Sequence, residues 1–103
     1  MKNMIIILLY FYLGIYIMVV VNGYTYTIEP DADLSSANLR GADLRYVNLR
    51  RANLTNANCS FANLSDANFL YANLTGANFL YANLQGADLR GANLTDAVFS
   101  LLI

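Results

Sequence analysis

The amino-acid sequence predicts a solenoid, a narrow side-chain-filled tube that turns a corner every five residues, preceded by one apolar N-terminal helix. Three observations predict it. From Ala32 to Leu101, fourteen consecutive pentads run without an insertion, starting Ala-Asp-Leu-Ser-Ser and Ala-Asn-Leu-Arg-Gly. In every pentad the first residue is small and apolar, and the third is apolar. Ahead of the repeats, eighteen uncharged and mainly apolar residues run from Met4 to Val21. A period of five matches neither the 3.6 of a helix nor the 2 of a flat strand, so the chain must bend once per unit to keep the same positions inside.

The totals narrow the function classes. At 103 residues there is room for one domain. Its repeats span about seventy residues, which is small for a self-sufficient core. Six Lys or Arg stand against seven Asp or Glu, so charge makes no case for nucleic acid or an acidic membrane surface. Histidine is absent and Cys59 is the single cysteine, so no internal disulfide and no Cys/His metal site is expected. There is no Ser/His/Asp set, no Gly-rich phosphate loop and no carboxylate pair in a recess, and a filled tube has no interior pocket. The chain is therefore expected to be no enzyme and to need no cofactor.

Taken in order, the leader comes first. Lys2 precedes an apolar run that, at about 1.5 Å per residue, spans roughly 27 Å of hydrocarbon as a helix. Residues 1–23 read as a signal peptide, with cleavage after Gly23 in Val21-Asn22-Gly23, or as an uncleaved signal anchor that would hold the protein to a membrane through residues 4–21. Lys2 before the run and Glu29, Asp31 and Asp33 after it put the N-terminus inside and the repeats outside. The expected location is secreted, or extracytoplasmic and membrane-anchored. Residues 24–31 are a lead-in strand or linker, since Tyr24 to Ile28 alternate Tyr and Thr before Pro30, and this strand would cover the first edge of the solenoid.

The repeats occupy residues 32–101. One large and one small inward residue per side fill a narrow tube to crystal-like density. The second residue of the pentad is Asn or Asp in all units but one, Val98, and its short polar side chain bonds the neighbouring backbone at each corner. These residues resemble the pentapeptide-repeat family, whose units read approximately Ala-(Asp/Asn)-Leu-X-X. The resemblance implies an all-β fold, a right-handed quadrilateral β-helix with four repeats per coil, here about three and a half coils and about 17 Å tall at the usual strand spacing. Residues twenty apart then stack. Leu34, Leu54, Leu74 and Leu94 form one inner column, with Ser35, Thr55, Thr75 and Thr95 outside it. Leu39, Cys59, Phe79 and Phe99 form another, so Cys59 reads as a small core residue. Residues 102–103 are an apolar tail.

Candidate sites are the departures from the pattern. Phe61, Tyr81 and Leu101 stack in one outward column, an exposed apolar strip that suits a protein partner. Arg40, Arg45, Arg50 and Arg51 form a basic belt on the first coil, suited to anionic headgroups or a polyanion if the leader stays as an anchor. Five Asn-X-Ser/Thr sequons fall at Asn53, Asn58, Asn63, Asn73 and Asn93, all generated by the repeat itself. Val98, Phe99, Leu101, Leu102 and Ile103 leave an apolar open end that a second copy would cover as a homodimer. The bacterial quinolone-resistance branch of the family resembles a DNA duplex and inhibits a nucleic-acid enzyme by imitation. This chain departs from that branch, because it has no dense acidic face and too few coils. The expected function is an exported, non-catalytic module that serves as a rigid interaction or structural scaffold.

Overall fold

Among the described residues, each of the first thirteen pentads closes a corner with one backbone hydrogen bond. The N–H of Ala37 donates to the Leu34 carbonyl (3.0 Å), and Ala57 to Leu54 (2.9 Å) and Ala77 to Leu74 (3.0 Å) repeat the contact. The third residue of each such turn, the fifth of the pentad, lies at positive φ, as in a type II turn. Asn56, Asp66 and Asp96 tolerate this left-handed region, whereas Tyr46, Phe61, Tyr71 and Tyr81 adopt it at a cost of about 1–2 kcal/mol each. At Gly86 the absence of a side chain matters for two reasons. Its φ is +76°, and a Cβ would run into the Asp66 carboxylate of the coil before.

A computed structural model describes residues 4–11 and 14–100. Parallel bridges join Asp33 to Asn53, Asn53 to Asn73 and Asn73 to Asn93, so four pentads complete one coil. Each side of a coil is tied to the next by a repeated set of bonds. Asn53 N–H donates to Ala32 (2.8 Å), Leu34 N–H to Asn53 (2.7 Å), and Ser36 N–H to Thr55 (2.8 Å). The second residue supplies a further bond: in all thirteen pentads with Asn or Asp there, its Oδ1 accepts the N–H two residues ahead. This Asx turn satisfies the backbone where the chain bends. The third residues fill the tube. Phe69 meets Phe79 edge-on (6.2 Å, 78°), and Phe79 stacks on Phe99 (5.3 Å, 9°). Cys59 is fully buried, and burial pushes its thiol up to about 12, so it serves as a small apolar side chain.

The leader corrects one expectation. In place of an apolar helix, residues Met4–Phe11 (β1) and Gly14–Val21 (β2) are antiparallel strands, and Tyr24–Ile28 (β3) pairs with β2 on its other side. No helix among the described residues is long and apolar enough to cross a membrane. The physical reason lies in composition and in the available partner. The run is dense in Ile, Val and Tyr, which fit a pleated surface, and Asn22-Gly23, with φ of 52° and 86°, makes the two-residue turn that matches the twist of a hairpin. Val19, Val21 and Ile28 then bury themselves in the same core as the first coil.

Polar groups complete this cap. The Tyr26 hydroxyl accepts the Asn38 N–H (2.8 Å), a bond that a carbonyl of the preceding coil supplies elsewhere in the tube. Asn22 Nδ2 donates to Asn38 Oδ1 (3.3 Å) and to the Arg40 carbonyl (3.2 Å). Among the described residues, no buried side-chain polar atom lacks a partner. The remaining two strands, Asn78–Phe79 (β4) and Val98–Phe99 (β5), are a parallel pair in the coil ladder. Leu101 and the expected tail at 102–103 lie outside the described residues.

Candidate interaction surface

The outward column is built by the coil repeat of twenty. Phe61 and Tyr81 occupy the same corner on successive coils, and their rings stack with centroids 5.0 Å apart and planes at 24°. Arg40 extends across the corner from the coil below. Its guanidinium lies 4.4 Å from the Phe61 ring centroid, and its Nη1 donates to Ser60 Oγ (2.9 Å). The Ser60 hydroxyl in turn donates to Asn58 Oδ1 (2.7 Å), so the cation is positioned by a buried, fully bonded group. The Phe61 ring thus stacks on Tyr81 and carries the Arg40 cation. Phe61 is 51% exposed and Tyr81 66%. Leu101, the third expected member, lies outside the described residues.

The basic belt is brought together on the first coil, but its charge is largely spent locally. Arg45 grips Asp43 through two bonds of 2.8 Å, and Arg51 grips Asp31 at 2.8 and 3.1 Å across one coil step. These guanidinium bonds hold both carboxyls below their ordinary value. Arg90 repeats the motif with Asp88, whose carboxyl is held down to about 2 by its side-chain and backbone bonds to Arg90. Of the belt, Arg40 is committed to Phe61 and Ser60, and Arg50 remains as the member without an ion pair among the described residues. Ion pairing at this spacing is visible in the sequence only once the coil is known to be twenty residues long, since Asp31 meets Arg51 through that repeat.

No group of His, Cys, Asp and Glu among the described residues is arranged to hold a metal ion. Two features went unread in the sequence. Asn22-Gly23 between β-rich apolar runs is a hairpin signal. Tyr26, with its hydroxyl two residues before Ile28, is an end-capping group whose target, Asn38, no local pattern points to.

A tube of Asx-turned pentads, four to a coil, defines a class. The family profile "Pentapeptide repeats" matches in eight copies over residues 32–69 and 57–96. The chain belongs to the pentapeptide-repeat family, whose members form right-handed quadrilateral β-helices and are generally non-catalytic scaffolds. Among solved structures it is similar to the pentapeptide repeat protein Rfr23 from the cyanobacterium Cyanothece 51142, at 36% identity and a TM-score of 0.59, covering 68% of this chain and 55% of that one. It is also similar to HetL, a pentapeptide repeat protein involved in heterocyst differentiation regulation from the cyanobacterium Nostoc sp. PCC 7120, at 46% identity and a TM-score of 0.45, covering 65% of this chain and 34% of that one. The chain therefore spans about half the length of the first of these and a third of the second. No curated protein matches its sequence.

Proposed function

We propose that this chain is a non-catalytic scaffold, exported from the cytoplasm, that presents the Phe61 and Tyr81 corner to a protein partner. One observation carries the reading. Both rings are large and mostly exposed, and both backbones sit in the left-handed region (φ 61° and 60°) that Gly, Asn or Asp enters more cheaply. Every described corner shares that left-handed backbone, so what sets this one apart is that its two exposed rings stack into one continuous strip. Arg40 adds a fixed cation to the aromatic edge, and Tyr and Arg are the residues on which binding energy concentrates. Recovery of partners on immobilised protein should fall at least tenfold for Phe61→Ser with Tyr81→Ser while circular dichroism stays unchanged. Equal recovery would leave the column as inter-coil stacking alone.

Export rests on the leader sequence alone, with Lys2 ahead of the apolar run, and cleavage after Gly23 would remove β1 and β2 and take Val19 and Val21 out of the core. Mass spectrometry of the mature N-terminus tests it: Tyr24 as first residue means a processed, secreted chain, and Met1 on an extracytoplasmic chain means an anchored one. Cytosolic recovery rejects export. The alternative in which the first coil binds an anionic surface has little support, because Asp31 and Asp43 occupy Arg51 and Arg45. Self-association is favoured by the partly exposed inward Leu94 and Phe99 of the last described coil. A concentration-independent monomer mass in light scattering would remove that reading.

A further inference from the structure

The five sequons share a local geometry but differ in setting. At Asn53, Asn58, Asn73 and Asn93, Oδ1 accepts both the N–H and the hydroxyl of the Ser or Thr two residues ahead. At Asn63 only the N–H of Ser65 is engaged (3.2 Å). With Oδ1 folded onto its own turn, the atom left to face outward is Nδ2, the one a glycan is attached to. Asn73 and Asn93 are exposed, and their Nδ2 atoms have no hydrogen bond among the described residues. Asn53, Asn58 and Asn63 are half-buried between coils, and Ser60 of the Asn58 sequon is buried beneath Arg40.

Asn73 and Asn93 are also bridged partners on adjacent strands of one face. Their attachment points are therefore about 4.8 Å apart. A pyranose with its hydroxyls is broader than that spacing, so two branched glycans cannot both leave this column without collision.

We propose that Asn73 and Asn93 form one N-glycan acceptor locus that carries a single glycan between them, while Asn53, Asn58 and Asn63 carry none. The inference rests on the export reading, since the donor, a lipid-diphosphate-linked oligosaccharide, is met across a membrane. In the transfer, Nδ2 forms a bond to the sugar C1 and loses one proton to the transferase. The bond from C1 to the diphosphate oxygen breaks, and the lipid diphosphate leaves.

The test is expression of the full chain in a eukaryotic secretory host, with intact mass spectrometry and site labelling by enzymatic deglycosylation in heavy-oxygen water. One glycan per chain is expected, with label confined to the Asn73 and Asn93 peptides. Asn93→Gln should move occupancy to Asn73 without lowering the total, and the double variant should lower it at least tenfold. Exported chain without glycan, with two or more glycans, or with label at Asn53, Asn58 or Asn63 overturns the proposal and leaves export standing. A chain accessible to protease on the cytosolic side overturns both.

Discussion

Leu34 and Leu94 hold the same slot of the pentad at the two ends of one inner column, yet Leu34 is 2% exposed and Leu94 39%. The neighbouring column repeats the contrast, with Leu39 fully buried and Phe99 41% exposed. The first coil is covered by β2 and β3, whose Val19, Val21 and Ile28 enter its core. Around Leu94 and Phe99 the described residues supply no comparable layer. The pentad therefore decides which way a side chain points, and stacking decides how much that direction is worth.

The largest effect should appear where coils lie on both sides. Leu64→Ala, at a fully buried position, should cost about 2–5 kcal/mol in urea unfolding, whereas Leu94→Ala should cost about 1 kcal/mol or less. Equal costs would break the comparison by showing that Leu94 is covered in solution. Next comes the cap itself. Tyr26→Phe keeps the ring and removes the acceptor for the Asn38 N–H, so it should cost about 1–2 kcal/mol and speed amide hydrogen exchange at Asn38 before that of the middle coils.

A corner variant sharpens the account of strain. Tyr46 is exposed at φ 64°, so Tyr46→Gly should change stability by no more than about 1 kcal/mol, in the stabilising direction, while Gly86→Ala should destabilise through its clash with Asp66. Thermal melts of the two variants give the signs. The smallest effect is acid dependence. The carboxyls of Asp31, Asp43 and Asp88 are depressed in the folded chain, so their contribution is complete above the unfolded value of 3.8 and is lost as pH falls toward the folded value, about 2 for Asp88. Melting temperature should be flat from pH 7 to 5 and decline slightly below 4, less so in high salt, because these pairs are solvent-exposed.

The candidate surface was legible as a column because Phe61 and Tyr81 are twenty residues apart and the coil is twenty residues long. The coil length also brings Asp31 to Arg51, but it did not disclose that Arg40 would lie on Phe61, or that Arg45 would be taken by Asp43 two residues away. Charge belts are read from sequence as sums, but their effect depends on which carboxylate a guanidinium can reach. The left-handed corners were equally hidden. Gly at 76, 86 and 91 hints at them, while Tyr and Phe at the same slot argue against, and only closure of the square forces all of them into one conformation.

By itself the sequence determined the period, the inward slots and the Asx turns, because these are set by interactions within five residues or by the exclusion of water from Leu and Phe. The tertiary structure decided the fate of Met4–Phe11 and Gly14–Val21. An apolar run carries no information about its own partner: in hydrocarbon it satisfies its backbone as a helix, and beside the open edge of a coil it satisfies it as strands. Which of the two is lower in free energy depends on a surface that lies more than ten residues away, where Tyr26 meets Asn38 and Asn22 meets Arg40.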